Sequence, residues 1–392
     1  MSEIRKINNK KLSKLPKKVA IIHKSLWKMR GAERTLEAIC EIFPDADMYC
    51  LFGEMVSVRR TRSGKKIQSR ISSLISSHKI QYSWLNDLPF IKRCYKNTLP
   101  LWPFIVEGWD LSEYDLVISS SSDIAKSVIT RPDASHICYM YTPMRFIWDQ
   151  RFTYLKKMSV FKRPLFQLIS HWLRIWDVTS MKRVDKLITI SNFSRKRIKK
   201  YYGRDADLVI PPPLDISRIR SVKITRFRTE EPYVISISAY DENKGAEKAL
   251  EFAKHSGVKL IMVGEGGNRK KLQKQYTELK NVVYFDWVED SELFKLIANA
   301  KALLFLGVED FGLVALESTY LGTPVIALNE GGVKEIVKNG VNGYLIDSTD
   351  SEEISEAYKR VVGRKWHITR MRSYAEGYSK ELFQERFLRS IG

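Results

Sequence analysis

Short apolar runs alternate with amphipathic stretches along most of the chain. Val19-Ala20-Ile21-Ile22, Leu116-Val117-Ile118 and Leu187-Ile188-Thr189-Ile190 are bounded by polar or glycine-containing turns and read as buried strands. Tyr233-Val234-Ile235, Leu260-Ile261-Met262-Val263 and Val282-Val283-Tyr284-Phe285 repeat the pattern further on. Its clearest unit starts at Leu303-Leu304-Phe305-Leu306 and ends at Val325-Ile326-Ala327-Leu328. Between these runs Leu313, Leu316 and Tyr320 recur at helical spacing, Gly322 suits the cap and Pro324 forbids continuation. Strand, loop, helix and strand in that order are the building block of a parallel sheet. The pattern predicts an α/β protein with strands from residue 19 and a break at Pro211-Pro212-Pro213. Residues 213–231 read as an irregular linker. The expected units are a basic arm over 1–18, domains over 19–212 and 232–375, and a closing helix over 376–392.

Charge divides the chain at the same place. Of 66 Lys+Arg, residues 1–212 hold 39 against 19 Asp+Glu, and residues 213–392 hold 27 against 26. A positive first half attracts an anionic surface or a phosphorylated acceptor. Residues 1–18 carry seven basic residues and little to bury, so they read as a disordered arm. Apolar, aromatic segments at 84–90, 99–106 and 151–184 lie in this half among Lys and Arg. Core packing is their ordinary fate, and for 99–106 and 151–184 facing a membrane interface is the alternative.

Several classes are excluded by what the chain lacks. Cys40, Cys50, Cys94 and Cys138 form no Cys-x-x-Cys pair and do not cluster with histidine, so neither a zinc site nor a disulfide framework is expected. No uncharged apolar run is long enough to span a bilayer, and the basic amino terminus has no hydrophobic stretch of a secretory signal behind it. Aromatic-interleaved nucleic-acid motifs and a Walker loop are missing, so no nucleic acid is expected.

Candidate chemistry gathers at the carboxyl ends of the strands, where open α/β sheets bind ligands. Glu309 follows the 303–306 run, and Glu317 lies about one turn into the next helix with seven residues between them. Acceptor-only carboxylates suit a hydroxyl-rich ligand, and free amides at a helix start suit a phosphate. That spacing resembles the Glu–seven residues–Glu signature of the family-4 retaining glycosyltransferases, which have the GT-B fold of two doubly wound Rossmann-like domains facing across a cleft. Lys244 follows an expected strand where the family has a diphosphate-binding lysine, while Ala239 stands where it has an arginine. Gly31-Ala32 resembles the family's glycine-rich first loop. Tyr141-Thr142-Pro143-Met144-Arg145 resembles a His-Thr-Pro-Met-Arg turn of bacterial surface-polysaccharide mannosyltransferases, with tyrosine in the histidine position.

The resemblance implies roles for these residues. Glu317 would bind the ribose and Glu309 the transferred sugar. The amides of Phe311, Gly312 and Leu313 would lie near phosphates and sugar, and the backbone at Val288 near the base. Lys244, the Gly31–Ala32 turn and the Gly331–Gly332 turn would stabilise the leaving diphosphate. Tyr141 would stand near the transferring sugar and Arg145 on the acceptor side. The implied reaction is retaining transfer of a hexose, with GDP-mannose favoured as donor, onto a lipid-linked or polysaccharide acceptor. No cofactor and no metal are expected, and the place is the cytoplasmic face of the cell membrane, peripherally bound. A UDP-sugar enzyme and a catalytically impaired paralogue acting as a scaffold in polysaccharide assembly remain the alternatives.

Overall fold

The structure is a computed structural model describing residues 18–60, 66–224, 231–240 and 244–391. The basic arm lies outside them except for Lys18, as do residues 225–230 of the linker and Asp241, Glu242 and Asn243.

Two parallel sheets organise the molecule. The first lobe contains β1 (Val19–Leu26), β2 (Asp47–Gly53), β5 (Ile80–Tyr82), β6 (Leu116–Ser121), β7 (Ser135–Met140), β8 (Lys186–Thr189) and β9 (Leu208–Val209), in the order β5-β2-β1-β6-β7-β8-β9. A hairpin of β3 (Val56–Arg60) and β4 (Lys66–Arg70) stands apart from it. The second lobe contains β10 (Tyr233–Ile237), β11 (Lys259–Val263), β12 (Val282–Phe285), β13 (Ala302–Phe305), β14 (Val325–Leu328) and β15 (Gly343–Ile346), in the order β12-β11-β10-β13-β14-β15. Both sheets are doubly wound, as the resemblance implied. Each begins in the middle, builds outward to one edge, then returns to build the other. The point of reversal lies between β1 and β6 in one lobe and between β10 and β13 in the other, and such a point opens a crevice at the strands' carboxyl ends.

Sequence and structure differ at two places that matter for the cleft. The polar stretch from His23 continues β1 as far as Leu26, because Ser25 and Leu26 still pair with Phe52 and Gly53 of β2. The stretch expected to be irregular after Pro213 contains a short helix, Ile216–Arg220, whose Asp215 side chain accepts the backbone N–H of Arg218.

Six helices carry or border the cleft: α1 (Gly31–Ile42), α2 (Arg163–Ser180), α3 (Asn192–Tyr202), α4 (Ile216–Arg220), α5 (Leu313–Leu321) and α6 (Lys380–Ile391). Although α6 ends the chain, it packs on α1 of the first lobe. Gln384 donates to the Ala38 carbonyl at 3.0 Å and Lys380 pairs with Glu41 at 2.6 Å. Phe383 and Phe387 stack on one another and meet the ring of buried Tyr139. No helix among the described residues is long and apolar enough to cross a membrane. Cys40, Cys50 and Cys138 are buried free thiols and Cys94 is a half-buried one.

Candidate functional site at the facing switch points

In the second lobe the loops after β10 and β13 lie backbone against backbone. A Cβ on Gly307 would stand 2.6 Å from the Lys244 Cα, and one on Gly245 would stand 2.6 Å from the Leu306 carbonyl carbon. Gly245 also has φ +73°, so glycine is required there for both space and conformation. This approach delivers the Lys244 ammonium to Glu309, with Nζ 2.9 Å from Oε1. Both side chains remain partly exposed.

On its other side the Glu309–Asp310 backbone rests on Gly331 and Gly332. A Cβ on Gly332 would overlap the Asp310 carbonyl, and the Gly332 N–H donates to the Glu309 carbonyl at 2.8 Å. Gly312, at φ +115°, then turns the chain into α5. Phe311 is buried with its ring 6.1 Å from that of Tyr378, and Leu313 is half-buried. Val288 is buried beyond β12, next to the exposed Trp287.

Glu317 has a different partner. It is buried in α5 and accepts from Nη2 of Arg218 in α4 at 3.0 Å. The Arg218 Nε lies 2.8 Å from Asp290, and Arg34 of α1 reaches Asp290 and Asp215, each at 3.5 Å. Burial pushes the Glu317 carboxyl above its ordinary range, opposed by the charges of Arg218 and Arg34. Nothing in the sequence around Arg218 marked it, because the stretch read as linker.

The first lobe meets this arrangement at its own switch point. Gly31 opens α1 so close to Leu313 that a Cβ would lie 3.0 Å from its Cδ1. Tyr141 sits beneath the same turn, with its hydroxyl 2.9 Å from the Ala32 carbonyl and 2.9 Å from the Ser120 Oγ. Its hydroxyl therefore holds the turn. Arg145 pairs with Asp149 at 3.2 Å and reaches Asp310 at 3.7 Å, and Arg197 of α3 pairs with both carboxylates. Burial raises the Asp310 carboxyl, while Arg197, Arg145 and Lys244 oppose it.

A second tie between the lobes runs from Glu335 to the start of α3. Its carboxylate accepts the backbone N–H groups of Asn192 and Phe193 at 3.1 and 3.0 Å. The N-terminus of α3 thus carries an anion, as its free amides and dipole favour. Asp310, Arg197 and Glu335 were not singled out from sequence, although each adjoins a segment that was. Among the described residues no group of three or more His, Cys, Asp or Glu stands together to hold a metal ion.

Residues 217–378 match the family described as "Glycosyl transferases group 1". The second lobe is a group 1 glycosyltransferase domain. The lipopolysaccharide core biosynthesis glycosyltransferase LpsE of Rhizobium meliloti is 31% identical over 146 residues, 36% of this chain and 43% of that protein. A GDP-mannose-dependent alpha-(1-6)-phosphatidylinositol monomannoside mannosyltransferase of Mycolicibacterium smegmatis is 28% identical over 207 residues, covering 46% of this chain and 54% of the relative. The chain thus spans about half the length of the curated relatives it matches.

Solved structures align over both lobes. Anabaena HepE in complex with UDP and glucose superposes with a TM-score of 0.66 at 17% identity, covering 95% of this chain and 98% of that one. WaaG, a glycosyltransferase involved in lipopolysaccharide biosynthesis, gives 0.63 at 14% identity over 95% and 99%. At such identities the likeness is one of fold: the group 1 domain is the second half of a GT-B architecture.

Proposed function

We propose that the protein is a retaining glycosyltransferase that moves a hexose, mannose from GDP-mannose in the favoured case, onto a lipid-linked or polysaccharide acceptor at the cytoplasmic face of the cell membrane. The observation that carries this reading is the Lys244–Glu309 pair at the switch point of a group 1 domain, 2.9 Å apart and open to the cleft. In this reading Lys244 lies against the donor's diphosphate and Glu309 against hydroxyls of the transferred sugar. Glu317 accepts from the ribose, and the backbone at Val288 faces the base. The turns at Gly31–Ala32 and Gly331–Gly332, with the amides of Phe311, Gly312 and Leu313, surround the phosphates and sugar. Arg145 serves the acceptor side.

The acceptor hydroxyl attacks the anomeric carbon from the face the diphosphate leaves. The carbon–oxygen bond to phosphate breaks with its electron pair going to the diphosphate, and the acceptor proton passes to a phosphate oxygen. Lys244 stabilises the charge that grows there, and one such oriented donor is typically worth about 3–4 kcal/mol of barrier. The first-half charge and the mannosyltransferase relatives support the membrane side and the donor preference.

A UDP-sugar is the second donor reading, favoured by the fold's likeness to HepE, which binds UDP and glucose. An impaired paralogue acting as a scaffold is the third, favoured by Ala239 in place of an arginine. Product analysis with a panel of GDP- and UDP-sugars, together with Glu309→Gln and Lys244→Ala, separates them. Transfer from GDP-mannose that both substitutions abolish supports the first reading. Transfer from a UDP-sugar alone selects the second, and no turnover with any donor selects the scaffold.

A further inference from the structure

Large apolar side chains are exposed almost wholly on the first lobe, and several form one face. Helix α2 shows solvent a stripe of Leu165, Leu168, Trp172 and Ile175, spaced by three and four residues. Phe161, just before it, is 95% exposed. Phe104, 66% exposed, stacks on Trp172 with ring centroids 6.0 Å apart, which joins the 99–106 segment to the stripe. Phe90 continues the theme. Among the described residues it is the one non-glycine with positive φ, +61°, and its side chain is 76% exposed. A bulky residue is rarely held in that region, so the backbone is strained while an aromatic ring points outward. Ile91, Ile105 and Leu173, neighbours of these exposed residues, share one buried cluster beneath them.

Charge selects the partner. Residues 151–182 contain seven Lys+Arg and a single carboxylate, Asp177. Asp177 is fully buried and pairs with the equally buried Lys126 at 2.8 Å. The segment therefore offers cations and apolar side chains to solvent and no anion. Exposed Lys156, Lys157 and Lys162 precede the stripe, and exposed Lys92, Arg93 and Lys96 follow Phe90. A second copy of this chain would bring like charges together. A nucleic acid would have no use for an aliphatic stripe.

We propose that this face docks on an anionic lipid surface, with α2 lying in the interface plane, its apolar stripe among the acyl chains and the lysines at headgroup level. Such a helix combines a large apolar face with a basic rim and does not span. The proposal deepens the membrane-side reading above by naming the surface. The opposite face of α2 is tied to the cleft: Arg174 donates to the Ile147 carbonyl at 3.2 Å and Trp148 Nε1 donates to Asp177 at 2.8 Å. Trp148 directly precedes Asp149, the partner of Arg145. Docking would thus set the acceptor side of the cleft about one helix diameter, ~10 Å, from the interface, which suits a lipid-linked acceptor.

The test is sedimentation of the full chain with phosphatidylcholine vesicles, with and without phosphatidylglycerol. Binding that depends on phosphatidylglycerol is expected. Phe161→Ser with Leu168→Ser should lower the partition coefficient by roughly tenfold or more, since each side chain loses a burial term. Lys156→Glu, Lys157→Glu and Lys162→Glu together should remove the preference for anionic vesicles. All five positions are exposed or nearly so, and unchanged cooperative unfolding checks that the variants fold. No binding to anionic vesicles overturns the proposal, as does binding that the Phe161 and Leu168 changes leave intact. A lipid-free dimer that those same changes dissociate also overturns it, in favour of a second copy as occupant. The nucleotide-sugar response of the same variants should be that of the parent. Its absence from parent and variants alike would remove the donor reading and leave the docking result standing.

Discussion

The Tyr141 hydroxyl donates to the Ala32 carbonyl oxygen at 2.9 Å, tying the end of β7 to the first turn of α1. With its hydrogen used there, the phenol oxygen accepts from Ser120 Oγ, also at 2.9 Å. His23 Nδ1, 3.2 Å from Ser120 Oγ, must then be the donor to serine. The result is a directed chain from His23 through Ser120 and Tyr141 to Ala32. Tyrosine in a position where the resembled family has histidine thus acts on the first turn of α1 through its length. Burial raises the phenol's pKa, so it stays a neutral donor at any ordinary pH. Tyr141→Phe leaves the Ala32 carbonyl and the Ser120 hydroxyl without this partner. A stability loss of about 1–3 kcal/mol is expected, read from denaturant midpoints, along with weaker nucleotide binding as the turn loosens. An unchanged midpoint would show that the chain of bonds carries no weight.

Gly307 tests the backbone contact that sets the candidate donor site. A methyl group at this position would meet the Lys244 Cα at 2.6 Å, and neither backbone has a flexible end to move. Gly307→Ala should force the two loops apart, separate Lys244 from Glu309, and destabilise the lobe by about 1–3 kcal/mol. A saturating nucleotide-sugar at 100 times its dissociation constant should add ~2.7 kcal/mol to the parent's stability, and most of that gain should vanish in the variant. Gly267→Ala is the control, because nothing lies within 4 Å of the added Cβ. Equal ligand responses in both variants would contradict the assignment of these loops to the donor.

Arg218 and Glu317 give a pH prediction. Burial lifts the Glu317 carboxyl above 4.5, so the folded chain holds this proton more tightly than the unfolded chain does. The group's contribution to stability is full below its unfolded value and is lost as pH rises through the folded value. In the proposed donor reading binding runs the other way, since Arg218 and the ribose hydroxyls both donate to the ionised carboxylate. Nucleotide affinity should fall as pH drops through the raised value, at a pH above that of an ordinary glutamate. Arg218→Ala removes the nearest opposing charge and should move that fall to higher pH, while Glu317→Gln should abolish it. Calorimetric titration of nucleotide from pH 7 to 5 checks all three chains. A parent and an Arg218→Ala variant with the same profile would rule out this coupling.

The hydrophobic period showed most of the architecture because each buried strand is short, apolar and closed by a turn residue, and because Gly322 and Pro324 leave one reading of the 303–328 unit. Glu309, Glu317 and Lys244 were singled out because their spacing and order along the chain resemble the family-4 pattern. Arg218 was not, because α4 is only five residues long and one side-chain cap among polar residues gives too little period to register. The lobes' mutual contacts were equally hidden. Glu335 binding the start of α3 and Arg197 binding Asp310 join residues more than a hundred positions apart, which local pattern does not encode. For the stripe on α2 the sequence left core packing and a membrane-facing helix both open, since periodicity fixes which residues share a side but not what covers that side.

His136 sets a limit on acid stability. Its ring is buried, with Nδ1 3.2 Å from the Arg183 carbonyl and Nε2 3.0 Å from the Ser119 hydroxyl. A carbonyl only accepts, so Nδ1 carries the hydrogen and Nε2 accepts from serine, which satisfies the neutral ring completely. Burial lowers the pKa from 6.5 to about 4, the nearby charges of Lys126 and Arg183 assist, and Asp185 and the Arg183 carbonyl oppose. Above pH 6.5 both folded and unfolded chains hold the ring neutral. Below it the unfolded chain takes up a proton that the folded chain refuses, so stability present above 6.5 is lost as pH falls towards 4. The whole effect is about 3 kcal/mol, with about 2 kcal/mol of it between pH 7 and 5. His136→Asn should lower stability at pH 7 yet flatten the decline between those two pH values. Urea midpoints of both chains at pH 7, 6 and 5 measure it, and parallel declines would place the acid sensitivity elsewhere.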